Sequence, residues 1–167
     1  MDYRLPGNPT VFTANILSDR LASGDIAFDP VLNSFFIADG PGTVFFGIDR
    51  FDPNLPEYRA FLDFPLDGTT GQDIVPLNAI IVSATLDVFI NEVSFASTVP
   101  TLLDLVTYGI TGLDAGDFSS PPLVFRTLDF FSFDERNVVR IDVTTLMEEA
   151  QRLGLPDFQV RFLVDIP

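Results

Sequence analysis

Cysteine, histidine, lysine and tryptophan are all absent from the chain, so its nine basic residues are arginines. Without cysteine and histidine there is no thiolate nucleophile, no Ser–His pair and no zinc site built on thiolate or imidazole ligands. Without lysine no Schiff base can form. Carboxylates, hydroxyls and guanidinium groups are what remains for chemistry, and we therefore predict that the protein is not an enzyme.

Positive charge is also scarce, since 24 acidic residues leave the chain with a net charge of −15. Such a surface repels phosphate backbones, and we expect no nucleic-acid partner. No apolar run approaches the roughly 18 residues that a membrane span requires, so membrane insertion is not expected either. The N-terminal stretch shows neither the basic start nor the apolar segment of a signal peptide.

Apolar residues are abundant: they make up 47% of the chain and include 18 Phe, which is ample for a core. Short alternating runs dominate, and Pro- and Gly-rich connections separate them. This pattern predicts an all-β fold, an antiparallel two-sheet β-sandwich that forms a single domain over residues 1–167. The predicted strands span residues 10–16, 43–46, 58–64, 79–95 with a bend near Ser83, 103–110, 123–131, 138–143 and 158–164.

One short helix is predicted near the C-terminus, at residues 146–153. Thr145 and Glu148 match the Thr-x-x-Glu capping box, in which each side chain satisfies a free backbone N–H at the helix start. Gly154 is a typical C-terminal stop, and Pro156 prevents continuation. Apolar residues lie on one face of this helix, and we expect it to cover an open end or edge of the sandwich.

Three stretches carry a resemblance to a known family. They are YRAFLDFPL at 58–66, NAIIVSATLDVFI at 78–90 and VVRIDVTTLMEEA at 138–150. In this order they resemble the DNRLRE-type domain, a jelly-roll module related to disaggregatase and to carbohydrate-binding modules. The resemblance implies a jelly roll, and further strands follow the helix and its next strand in that family. One or two C-terminal strands are therefore expected to be missing here.

Three explanations of that difference stay open. The sequence is a fragment, another chain supplies the missing edge by strand addition, or the domain is complete in a shortened form. Our leading hypothesis is a non-catalytic structural module of a cell-surface or extracellular protein, which packs against other protein modules, self-associates or accepts a strand.

Two functions that act on sugars are the alternatives. A carbohydrate-binding module, which the resemblance implies, is the first, with a polysaccharide as the partner and Tyr58 and Tyr108 as the candidate residues that stack on a sugar ring. A glycan-active hydrolase is the second, because two suitably spaced carboxylates are sufficient to cleave a glycosidic bond.

An oxygen-rich loop is the candidate metal site. The stretch GIDRFDPNLPE offers Asp49, Asp52, Asn54 and Glu57 within a few residues. Calcium takes six to eight oxygen ligands of this kind, so bound Ca²⁺ is a hypothesis for this loop. Asp and Asn before Pro are also the ordinary residues of turns, and a purely turn-forming role is the alternative.

Adjacent phenylalanines place one ring of each pair on the second face of its strand. An exposed ring of this kind serves as a platform for a ligand or as a contact with another protein. We expect the core to bury most of these rings, which belong to Phe35 and Phe36, Phe45 and Phe46, and Phe130 and Phe131.

Overall fold

The computed structural model describes residues 1–40, 42–70 and 73–165. Within these ranges the chain is mostly β-structure, with antiparallel pairing and one short α-helix near the C-terminus. This architecture fits an all-β sandwich, so the predicted fold class is confirmed. The strands are β1 Asp2–Arg4, β2 Phe12–Thr13, β3 Gly24–Asp29, β4 Ser34–Asp39, β5 Gly47–Ile48, β6 Glu57–Pro65, β7 Ile80–Ser83, β8 Thr85–Phe89, β9 Thr98–Val106, β10 Val124–Phe131, β11 Val138–Asp142 and β12 Asp157–Val164, and the helix is α1 Thr144–Leu153.

The described strands form three sheets. The largest has the order β10-β9-β12-β6-β3-β4, and β5 pairs with β6 beside this path. A second sheet has the order β2-β1-β7, and a third joins β11 to β8. In the described part of the chain, no helix has the length and apolar character needed to cross a membrane.

The strands gather into two compact units, each assembled from three separate segments. Because the chain passes back and forth between the units, no single cut separates them. The first unit contains residues 1–17, 64–97 and 131–158, and the second contains residues 18–63, 98–130 and those from 159 onward.

In the first unit, the side chain of Thr144 interrupts the long strand predicted at residues 79–95. The amide of Ala84 bonds the Thr144 hydroxyl at 3.0 Å, and the Val143 amide donates to the Ala84 carbonyl at 2.9 Å. The strand therefore divides into β7 and β8 on either side of Ala84, which confirms the bend predicted near Ser83. It ends at Phe89, whereas the prediction continued to residue 95.

The helix ends where the sequence predicts and begins earlier. Gly154 adopts the left-handed conformation with φ +67°, so a residue without a side chain is favoured there. The predicted capping box is wrong, because α1 already begins at Thr144 and Val143 precedes it without a side-chain cap. Asp142 instead accepts the Thr144 amide at 3.0 Å, and α1 packs against β7.

In the second unit, buried aromatic and aliphatic side chains form the core. Ile26 of β3 and Phe61 of β6 are fully buried, and they pack with Leu113 and Phe118 of the connection between β9 and β10. Phe130 is also buried, as predicted, and its ring lies 6.2 Å from that of Phe162.

Several strand predictions in this part of the chain are wrong. Residues 43–46 are not a strand, because the Phe45 amide donates to the Asp25 carboxylate instead of to a neighbouring strand. The hairpin of β3 and β4 was not predicted at all. In the first unit, the strand predicted at residues 10–16 is only the two-residue β2.

Candidate functional site at an open sheet edge

The strand β4 lies at one edge of the largest sheet. Its neighbour is β3, which pairs with it in antiparallel register from Gly24 opposite Asp39 to Asp29 opposite Ser34. Among residues 1–40, 42–70 and 73–165, no strand pairs with the other side of β4. The unpaired N–H and C=O groups of such an edge are a template on which another strand can add.

The side chains of β4 are apolar and exposed on both faces of the sheet. Phe35 is 39% exposed, Phe36 54% and Ile37 42%, and alternation places Phe36 on the face opposite the other two. The expectation that the core buries Phe35 and Phe36 is therefore wrong, as it is for Phe45. An edge strand has neighbours on one side only, so fewer side chains are available to cover its rings.

The apolar surface continues into the turn that precedes β4. Val31 and Leu32 are both exposed at the tip of the hairpin. Residues 30–38 contain no charged side chain, although 20% of the chain is charged. Edge strands are usually protected by charges, prolines or bulges against pairing with other chains. This edge carries none of these along the apolar part of β4.

The tip of the hairpin is held in shape by a buried carboxylate. Asp29 accepts the amides of Val31 at 2.8 Å and Leu32 at 2.9 Å, and it also accepts the side-chain amide of Asn54 at 2.7 Å. The bond from the Leu32 amide, followed by that from Asn54, lowers the pKa of Asp29 below its ordinary value. Asn33 takes a left-handed φ of +47°, which asparagine tolerates better than most residues.

A glycine allows β3 to approach β4 closely. A Cβ atom on Gly24 would clash with the carbonyl oxygen of Ala38 and would lie 2.7 Å from the Cα atom of Asp39. Both of these atoms belong to the backbone of β4 and cannot move aside without shifting the strand. The absence of a side chain at Gly24 thus fixes the end of β4 against its neighbour.

One face of β4 rests on an aromatic cluster. The ring of Phe35 lies 5.0 Å from that of Phe28 and 5.3 Å from that of Phe118. The guanidinium carbon of Arg59 lies 3.9 Å from the centre of the Phe118 ring, and Nη1 of Arg59 donates to the Phe118 carbonyl at 2.6 Å. A cation held over an aromatic face in this way contributes about 0.5–2 kcal/mol.

Arg161, which forms a buried ion pair with Asp104, also holds the connection between β9 and β10 that contains Phe118. Nη2 of Arg161 lies 2.6 Å from Oδ2 of Asp104, and both side chains are 4% exposed. Nη1 of Arg161 also donates to the Phe118 carbonyl at 2.9 Å. Two arginines from different strands therefore hold Phe118, and through its ring they support Phe35.

A second buried carboxylate lies on β3, directly beside β4. Asp25 is 4% exposed and accepts the Phe45 amide at 3.1 Å. Burial raises the pKa of Asp25 to about 6, and the bond from the Phe45 amide offsets part of that effect. This carboxyl therefore changes its charge over a mildly acidic range of pH.

The oxygen-rich loop uses its first two predicted calcium ligands to form turns. Oδ1 of Asp49 accepts the Phe51 amide at 2.8 Å, and Oδ1 of Asp52 accepts the Asn54 amide at 2.8 Å. These bonds between an aspartate and the amide two residues later are typical of turns that begin at Asp. They match the turn-forming alternative for this stretch.

The other two predicted ligands have different protein partners. Asn54 donates its side-chain amide to Asp29, and Glu57 lies 2.7 Å from Arg59 in an ion pair. In the part of the chain that the structure describes, no group of three or more His, Cys, Asp or Glu residues is placed to hold a metal ion. Calcium binding by this loop stays a prediction.

The two tyrosines predicted to stack on a sugar are half-buried and packed against phenylalanines. The Tyr58 ring meets Phe45 edge to face, with the centroids 6.2 Å apart, and the Tyr108 ring meets Phe61 in the same way at 5.6 Å. Burial, and then the charges of neighbouring aspartates, raise the pKa of Tyr58. A role of these rings in sugar binding stays a prediction.

The open edge was missed at the level of sequence, although a signal for it is present. The runs GDIAFD and SFFIAD are both apolar enough for strands, and PVLN between them has the composition of a turn. The apolar residues of SFFIAD do not alternate with polar ones, and such a run does not show whether the strand is buried or exposed.

Comparisons with known proteins add no family. A scan against protein-family models finds no match to this chain, and a search of curated proteins finds no significant relative. The resemblance to the DNRLRE-type domain therefore stays a prediction.

Proposed function

We propose that the protein is a non-catalytic structural module of a cell-surface or extracellular protein, and that it assembles by strand addition at β4. The observation that carries this proposal is the open edge itself, which is long enough for six residues to pair and exposes Phe35, Phe36 and Ile37. An added strand satisfies the free backbone groups and covers these side chains at the same time.

The residue inventory supports the non-catalytic part of the proposal. The chain has no histidine, cysteine or lysine, and three acids near β4 have structural partners. Asp29 closes the hairpin turn, Glu57 pairs with Arg59, and Asp25 accepts a backbone amide. These are contacts that stabilise a fold.

The expected affinity follows from how much apolar surface is covered. Full burial of one large apolar side chain is worth about 1.5–3 kcal/mol, and those of β4 are already partly buried. Association costs at least about 4 kcal/mol in lost motion. The apolar contribution of β4 is therefore of the same order as that cost, so the backbone hydrogen bonds of the added strand must supply the net affinity, and we expect weak assembly that needs a high protein concentration or a high local density.

The test is the molar mass of the protein across a concentration series, measured by sedimentation velocity and light scattering. We expect the wild-type mass to rise with concentration and Phe36→Glu to stay monomeric, because a charge on the edge opposes pairing. Phe89→Glu is the matched control, since Phe89 is 58% exposed on β8 and Phe36 is 54% exposed. A wild-type chain that stays monomeric throughout, or equal effects of both substitutions, would contradict the proposal.

Carbohydrate binding is the second candidate function. The observation that favours it is the ring of Phe133, which is 72% exposed and stacks on Phe131 at 4.9 Å with 7° between the ring planes. The open face of such a ring can stack on a pyranose. Pull-down with polysaccharides tests it: saturable binding that free sugar competes away and that Phe133→Ala abolishes supports this function.

A further inference from the structure

We infer that the strand which adds to β4 is β4 of a second copy of this chain, in antiparallel register centred on Phe36. This inference rests on the proposed function and specifies its partner. The resulting assembly is a two-fold symmetric dimer in which the largest sheet continues from one copy into the other.

The charge distribution favours β4 as the place where two copies meet. Each copy carries a net charge of −15, so most parts of its surface repel another copy. Residues 30–38 contain no charged side chain, and Asp39, at the end of β4, is the strand's single charged residue. Two copies that meet through β4 and the turn before it bring few like charges together.

Symmetry restricts the register. In an antiparallel pair, residues directly opposite each other project from the same face of the sheet. A two-fold axis perpendicular to the sheet keeps the faces of both copies aligned. One residue of β4 must therefore lie directly opposite the same residue of the second copy, and the axis passes midway between these two. The candidate centres are therefore single residues such as Phe35, Phe36 and Ile37.

The register centred on Phe36 gives favourable pairs along the whole strand. Phe36 faces Phe36 of the second copy on one face of the sheet, and Phe35 faces Ile37 on the other. Aromatic pairs and aromatic–β-branched pairs are among the more favourable cross-strand pairs. Ser34 faces Ala38, and Asp39 lies beyond these pairs, because the residue opposite it, Asn33, belongs to the turn before β4.

The other arrangements bring poorer partners together. A register centred on Ile37 places Phe35 against Asp39, and one centred on Phe35 places Asn33 against Ile37. Parallel pairing in register sets Asp39 beside Asp39 of the second copy, and like charges at that distance repel. Pairing of β4 with β10, the other edge of the sheet, makes an open chain of copies instead of a dimer.

Single cysteines test the register directly, because the chain has no cysteine of its own. Opposite residues in an antiparallel pair have Cα atoms about 4.5–5.5 Å apart, a distance that a disulfide bridges. With copper phenanthroline as catalyst, two thiols lose two protons and two electrons to molecular oxygen as the S–S bond forms. We expect Phe36→Cys to give a covalent dimer, and melting curves verify that each variant is folded.

Neighbouring positions supply matched controls. Phe35→Cys and Ile37→Cys each cross-link poorly alone, but an equimolar mixture of the two forms a mixed disulfide, because these residues face each other. Phe125→Cys on β10, where Phe125 is 58% exposed, gives no dimer. Added salt screens the repulsion between two acidic copies, so we expect self-association to strengthen several-fold between low and high salt.

The outcomes separate this inference from the proposed function. If the chain assembles in a way that Phe36→Glu abolishes, but Phe36→Cys cross-links to Phe125→Cys and not to itself, the dimer is wrong and strand addition at β4 stands. The dimer is also wrong if salt weakens the self-association, because that result indicates a contact between unlike charges, which the residues of β4 do not supply. If the wild-type chain never assembles, the proposed function fails together with the inference.

Discussion

Replacing Asp25 by asparagine tests whether burial on β3, the strand next to the open edge, opposes the negative charge of this carboxyl. Asp25 is buried on β3, and its pKa is raised to about 6 by that burial, from an ordinary value of 3.8. The fold therefore favours the neutral form of this carboxyl. Asparagine keeps an oxygen that can accept the Phe45 amide and carries no charge at any pH.

The size of the effect follows from the difference between the two pKa values. A tenfold difference in proton affinity between the folded and unfolded chain is worth about 1.4 kcal/mol. The neutral Asp25 carboxyl therefore contributes up to about 3 kcal/mol to the free energy of unfolding, relative to the ionised one. Because the folded pKa is the higher one, this stabilisation is complete below pH 3.8. It is lost as the pH rises through about 6.

The assay is urea denaturation of the wild type and Asp25→Asn at two pH values, both above the isoelectric point of about 4.1 to keep the chain soluble. At about pH 8 we expect the variant to be more stable by about 1–3 kcal/mol. At about pH 4.8 that advantage falls by roughly half, because the wild-type carboxyl has then largely taken up its proton.

A matched control separates burial from net charge. Asp129→Asn removes the same charge from an exposed position on β10, and we expect its effect on stability to be small and similar at both pH values. The reasoning is refuted if Asp25→Asn destabilises the protein at the higher pH. It is also refuted if the gain from Asp25→Asn is the same at both pH values.

Three further predictions concern the residues that surround the edge and the loop. Arg161→Met leaves Asp104 buried without its cation, so the free energy of unfolding in urea falls by about 3–5 kcal/mol, and adding Asp104→Leu recovers most of the loss. Gly24→Ala forces a side chain against the backbone of β4 and costs more than about 2 kcal/mol, with faster amide exchange in that strand. Adding calcium to the chelated protein decides between the two predictions for the loop: a rise in melting temperature that Asp52→Asn abolishes supports a metal site, and an unchanged melting temperature supports the turn-forming role.

The elements that the sequence predicts well are those whose pattern is local. β6 and β12 extend the predicted ranges by no more than one residue at each end, because their apolar residues alternate and turn residues bound them. The stop of α1 at Gly154 follows in the same way from the conformational freedom of glycine. In these places the neighbouring residues in sequence already decide the structure.

The contacts that hold the candidate site in place join residues that are distant in sequence. Arg161 and Asp104 are 57 positions apart, and Arg59 reaches a carbonyl 59 positions away. Neither strand shows in its own sequence which residue will lie opposite. The start of α1 shows the same limit, because a bond between Thr144 and Ala84, 60 positions apart, helps to place it.

The exposure of β4 could not be read from composition, because an apolar strand is buried or exposed according to its place in the sheet. SFFIAD in a central position would have strands on both sides, and its rings would be covered as Phe61 of β6 is. At the edge the same residues stay exposed. In the proposed dimer, the net charge of −15 keeps other faces of two copies apart, while the uncharged residues 30–38 let the edges meet. Under this proposal, the acidity elsewhere on the chain and the lack of charge at residues 30–38 act together: the first limits unspecific aggregation, and the second favours pairing through β4.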